Sequence, residues 1–243
     1  MTRLYSQIVK KSTNKQKMLA VLIDPDKITE DKIAQLTNLW QQTAPDFIFV
    51  GGSLVNADTE TTIKQIKAVS NIPVILFPGN ALQLAKNADA LLFLSLISGR
   101  NAEYLIGQHV VAAGQIKRSG IEVIPTGYIL IDGGCTTSVQ YISGTSPIPR
   151  TKTDIAVATA IAGEMLGLRM LYIEAGSGAK EHVPAEMVKA IRGNVEIPII
   201  VGGGLRDVES INEIYNAGAD LVVVGTAIEN NPTFLSDIIK NIR

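Results

Sequence analysis

The chain has 243 residues, 46% hydrophobic and 19% charged, with one cysteine and a formal net charge of -1. The lone Cys135 excludes an internal disulfide framework or a four-cysteine zinc module, and near-neutrality removes the excess Lys and Arg on which general nucleic-acid binding rests. The apolar runs Met18–Ile23 and Ala90–Leu94 fall short of the roughly 18 residues of a membrane span, and the basic N-terminus has no signal-peptide core, so a cytoplasmic protein is expected.

In chain order, β-branched or leucine-rich runs occupy 18–24, 46–52, 72–79, 89–95, 121–127, 170–176, 197–203 and 220–226. Each is nearly continuously apolar rather than alternating, as parallel strands covered on both faces are. Between them Ile28–Trp40, Asn56–Val69, Asn101–Arg118, Thr153–Leu166, Pro184–Ile191 and Arg206–Asn216 have helical spacing, and Pro232–Ile239 closes the chain. Eight strands with crossovers predict an α/β fold, a (β/α)8 TIM barrel forming a single domain over 1–243. An internal echo supports it: 72–95 and 197–225 share the order strand, glycine-bearing turn, helix, Ala-Asp, strand. Asn80–Ala88 is too short for a full outer helix, so the third is predicted short or irregular, and Leu130–Lys152 is predicted to be a long loop.

A barrel builds its site from the residues where each strand stops. Here these are Asp24, Gly51-Gly52-Ser53, Pro125-Thr126-Gly127, Tyr172 to Gly178, Gly202-Gly203-Gly204 and Gly225-Thr226. Glycine turns after strands 7 and 8 let backbone N–H groups approach an anion, and a following helix N-terminus adds positive potential, although glycine also serves the turn itself. Asp24 and Glu174 are carboxylates at strand ends, able to take a cation or a substrate hydroxyl; Asp24 could equally be a turn residue of Asp-Pro-Asp. No Lys ends a strand, which disfavours Schiff-base chemistry, and strand 5 offers no carboxylate opposite Asp24 for a paired acid and base. His109 and His182 are too few for a histidine-built zinc site.

LIDPDK around Asp24, GGS at 51–53, YIEAGSGA at 172–179, VGGGLRD at 201–207 and VVGTAIE at 223–229 together resemble the geranylgeranylglyceryl phosphate synthase family, in order over essentially the whole chain. The resemblance implies a modified (β/α)8 barrel without a regular third outer helix. It implies an enzyme that joins sn-glycerol 1-phosphate to geranylgeranyl or a similar prenyl diphosphate with Mg²⁺, releasing diphosphate in the first ether step of archaeal-type lipid synthesis. By the same resemblance Asp24 and Ser53 would hold Mg²⁺. Tyr172, Ile173, Glu174, Ala175, Gly176, Ser177 and Gly178, with Gly203, Gly204, Gly225 and Thr226, would form the glycerol-phosphate site. Glu174 would accept the hydroxyl proton or stabilise the allylic cation, and Tyr172 would orient the substrate. A homo-oligomer, dimer or hexamer, and transient contact with a membrane surface are further expectations. With aromatics at 5%, the walls of a prenyl groove are expected in Leu, Ile and Val. The alternatives are another phosphate-binding barrel enzyme acting on a small phosphorylated metabolite, or a non-catalytic binding barrel.

Overall fold

A computed structural model describes residues 3–41 and 43–242. Eight parallel strands pair in sequence order and close where β8 meets β1: β1 (Met18–Ile23), β2 (Phe47–Val50), β3 (Val74–Leu76), β4 (Ala90–Leu96), β5 (Glu122–Leu130), β6 (Met170–Glu174), β7 (Ile199–Gly202) and β8 (Leu221–Val224). Their continuous apolarity has a direct cause. Met18, Ala20, Phe49, Ile75, Leu92, Tyr172 and Ile200 fill the barrel interior, while the intervening Leu19, Val21, Val50, Leu76, Leu91, Ile173 and Val201 face the outer helices, so both faces are buried.

The outer layer is α2 (Glu30–Trp40), α3 (Thr59–Val69), α4 (Gln108–Ser119), α6 (Thr153–Met165), α7 (Ala185–Arg192), α8 (Val208–Ala217) and α10 (Phe234–Ile242). Three helices were not expected: α1 (Leu4–Thr13), α5 (Ser138–Ser143) and α9 (Thr226–Asn230). Helix α1 plugs the N-terminal mouth of the barrel. Its Ile8 is fully buried in the interior cluster, and the Glu122 carboxylate accepts from the first-turn N–H groups of Leu4 and Tyr5. The connection 130–152 is not featureless. It carries the end of β5, a bridge between Ile131 and Ile148, and α5.

Between β3 and β4 the chain makes only a 3₁₀ turn, Ala81–Gln83. The echo between 72–95 and 197–225 therefore holds for the strands and fails for the connection, since β7 and β8 are joined by the ten-residue α8. Buried Gln83 fastens the gap: its amide donates to the Gly52 carbonyl (3.0 Å) and accepts from the Gly79 N–H (3.0 Å), tying the ends of β2 and β3 together. The helix expected from Asn101 begins with a π turn, Glu103–Gly107, before α4. The greatest departure in a strand is β5. It runs through Tyr128 to Leu130, so Pro125, Thr126 and Gly127 lie inside the strand rather than at its end.

Candidate active site

The C-terminal ends of the strands surround a cavity of about 440 Å³. Of the residues expected in a site, Asp24, Ser53, Tyr172, Glu174, Ser177, Gly178, Gly203, Gly204, Gly225 and Thr226 all line it. Ile173, Ala175 and Gly176 do not. The side chains of Ile173 and Ala175 belong to the outer core, a consequence of alternation along β6, and Gly176 acts through its backbone instead.

Glu174 is the central group. It is 6% exposed, and its Oε1 accepts from the Gly176 N–H at 2.8 Å. Burial pushes its pKa up to about 7, against the opposing pull of the Gly176 N–H and the neighbouring Tyr172 hydroxyl. Tyr172 is fully buried, and its hydroxyl has no partner at hydrogen-bond geometry among the described residues. Burial and the Glu174 charge hold that phenol well above its usual range, and the Tyr128 hydroxyl likewise, so both stay neutral donors. Phe77 completes an aromatic floor, with ring centroids 5.1 Å from Tyr172 and 6.2 Å from Tyr128.

The glycine turn after β7 packs directly on this carboxylate. Gly203 has φ +81°, and a Cβ there would stand 2.2 Å from Glu174 Oε1 and 2.6 Å from the Gly176 nitrogen. Backbone conformation and close approach thus both require glycine. Opposite, the Ser177 and Thr226 hydroxyls lie 3.5 Å apart, bringing the β6 loop and the start of α9 to one cup in the cavity wall. The helix that offers its N-terminus there is α9, which starts at Thr226. Helix α8, which sequence reasoning would also have used, is already capped: the Asp207 carboxylate accepts from the Ser210 N–H at 2.7 Å, a bond that lowers the Asp207 pKa.

Asp24 serves as a turn residue and lines the site as well. Its Oδ1 accepts from the Asp26 N–H at 3.1 Å, and its Oδ2 lies 3.1 Å from Lys27 Nζ. Among the described residues no three His, Cys, Asp or Glu side chains converge as a metal cage. One carboxylate with a serine hydroxyl in the same cavity suits a hard divalent ion that takes its remaining ligands from water and phosphate oxygens.

A second, apolar groove opens from this cavity, sharing Gly52, Ser53, Phe77 and Tyr128 with it. It runs between β4, α4 and the 3₁₀ turn, where the missing outer helix leaves space. Leucines and Ile116 line it, and so do Phe77, Phe93, Tyr104 and Tyr128. The scarce aromatics are concentrated here, which overall composition could not reveal. His109 also lines the groove, set edge-on to Phe93 at 4.3 Å, and burial lowers its pKa. Sequence reasoning also missed Lys27, Arg206 and Glu229 in the cavity wall. Lys27 lay within the LIDPDK motif, and Tyr128 could have been found by carrying β5 through the apolar GYIL.

A closed eight-stranded parallel barrel with a glycine-lined cup and a buried carboxylate at the C-terminal ends of its strands has the architecture of a phosphate-binding barrel enzyme. The PcrB family profile matches residues 11–243, and the chain belongs to that family. It is 51% identical to the geranylgeranylglyceryl phosphate synthase of Flavobacterium johnsoniae over 235 residues, 96% of this chain and 97% of the relative. It is 43% identical to the synthase of the same name from Korarchaeum cryptofilum over 222 residues, 91% of each chain. The crystal structure of (S)-3-O-geranylgeranylglyceryl phosphate synthase from Thermoplasma acidophilum, in complex with its substrate sn-glycerol-1-phosphate, superposes with a TM-score of 0.93 at 34% identity, covering 100% of this chain and 99% of that one.

Proposed function

We infer that this protein is a geranylgeranylglyceryl phosphate synthase: it forms an ether bond between sn-glycerol 1-phosphate and geranylgeranyl or a similar prenyl diphosphate, releasing diphosphate. One observation carries the reading beyond family membership. The anion cup, the buried Glu174 and the mouth of the apolar groove share a single cavity, which is what joining a phosphorylated alcohol to a long apolar chain requires. The N–H groups of Gly203, Gly204, Gly225 and Thr226, with the Ser177 hydroxyl, would receive the glycerol phosphate. The glycerol hydroxyl then points toward Glu174, whose pKa of about 7 suits it to take the proton as the new C–O bond forms and the allylic C–O bond breaks. Tyr172 and Tyr128, held neutral, can donate toward substrate oxygens and can exclude water with Phe77. Asp24 and Ser53 would hold Mg²⁺, which when bound offsets the charge of the departing diphosphate. No helix among the described residues is long and apolar enough to cross a membrane. Exposed apolar side chains, Val110 and Val111 on α4 and Met165 and Leu166 at the end of α6, support self-association as a dimer or hexamer, and transient membrane contact.

The test is a diphosphate-release assay on the purified protein. Release is expected only with sn-glycerol 1-phosphate, a prenyl diphosphate and Mg²⁺ all present. Absence of an ether product across prenyl lengths from about C15 to C35 would overturn the reading.

A further inference from the structure

We propose that Lys27 grips the diphosphate of the prenyl substrate, a positioning role that rests on the function inferred above. Lys27 Nζ lies 3.1 Å from Asp24 Oδ2 and 3.7 Å from Glu229 Oε2. All three side chains line the central cavity, and all three also line a smaller recess of about 230 Å³ beside it, bounded by β1, α2 and α9. Lys27 therefore stands on a partition with space on either side, and its side chain is 51% exposed. Pairs at such exposure are held weakly, and a lysine stem turns easily.

Charge accounting directs the turn. A diphosphate monoester carries more negative charge than one divalent cation cancels, and Asp24 itself takes part of that cation's charge. The two cationic side chains lining the cavity among the described residues are Lys27 and Arg206. The Arg206 guanidinium donates to the Ala179 carbonyl at 2.5 Å, on the side of the glycine cup. Lys27 is the one on the Asp24 side. When a diphosphate enters, its ammonium exchanges the Asp24 oxygen for a phosphate oxygen, while Glu229 keeps the second contact and limits the swing. The exchange would leave Asp24 free to hold a divalent cation.

Calorimetric titration with inorganic pyrophosphate in Mg²⁺, with Mg²⁺ alone, and steady-state kinetics in each substrate test the assignment. Lys27→Met should weaken pyrophosphate binding and raise the KM for prenyl diphosphate, each by about 10- to 100-fold, the range for losing a hydrogen bond to a charged group. The KM for glycerol 1-phosphate should stay within about twofold. Mg²⁺ alone should bind no more weakly than to wild type, since a competing cation is gone, and Lys27→Arg should recover most of the loss. Equal pyrophosphate affinity in Lys27→Met, a KM increase shared by both substrates, or weaker binding of Mg²⁺ alone overturns the assignment while leaving the inferred function standing. A wild type that makes no ether product overturns both.

Discussion

Glu174 combines an energetic cost with a chemical use. An ordinary glutamate titrates near 4.5; here burial carries the value to about 7. The folded protein thus binds the proton more tightly than the unfolded chain does. The stability this confers is full below about 4.5, declines as pH rises toward 7, and is gone above that. The cost of the ionised form is on the order of 3 kcal/mol. Glu174→Gln keeps an acceptor for the Gly176 N–H and removes the charge. Thermal unfolding should therefore show the variant gaining stability over wild type at pH 8 and little at pH 4. Turnover should fall by about 10²–10⁴-fold, and the rise of wild-type activity with pH toward a plateau above 7 should disappear. A Gln variant with the wild-type pH profile would place the proton elsewhere.

The turns carry as much of the site as the side chains do. Gly203→Ala would force a Cβ to within 2.2 Å of Glu174 Oε1 in a backbone region that alanine avoids. We expect a loss of about 1–3 kcal/mol in denaturant unfolding and a fall in activity comparable to losing Glu174 itself, because the carboxylate must move. The eight strands were readable because double burial writes an unbroken apolar run. That Asp24, Glu174 and the glycine turns meet at one cavity was readable because they stand where such runs stop. What escaped has physical reasons. The end of β5 was misplaced because Pro125, Thr126 and Gly127 mimic a turn while hydrogen bonding carries the strand on to Leu130. Helices α5 and α9, six and five residues long, are too brief for periodicity to register. Lys27, three residues from Asp24, gave no sign of its place between two carboxylates because the second of them, Glu229, is remote in the sequence.

At the scale of the whole molecule the two ends of the barrel are treated differently. Helix α1 closes the N-terminal mouth, with Ile8 fully buried and Glu122 satisfying the helix start, while the cavity with Asp24 and Glu174 opens at the other mouth. Its pattern of Leu4, Tyr5 and Ile8 was present in the sequence but was masked by the surrounding lysines. Ile8→Ala should cost about 2–4 kcal/mol in urea unfolding, with kcat/KM unchanged while the protein stays folded. A loss of activity in the folded variant would show that the plug supports the site as well as the core.

The interrupted ring between β3 and β4 bears on reaction geometry. In the reaction inferred above, a substrate held at its charged head near Asp24 and at its tail in a lateral seam would be fixed at two points, like a rod resting on two supports. The allylic carbon would lie between them, and its angle to the attacking hydroxyl would be set by where the seam lies, without any group needing to touch that carbon. In the inferred reaction, the missing helix would thus set the aim of the attack.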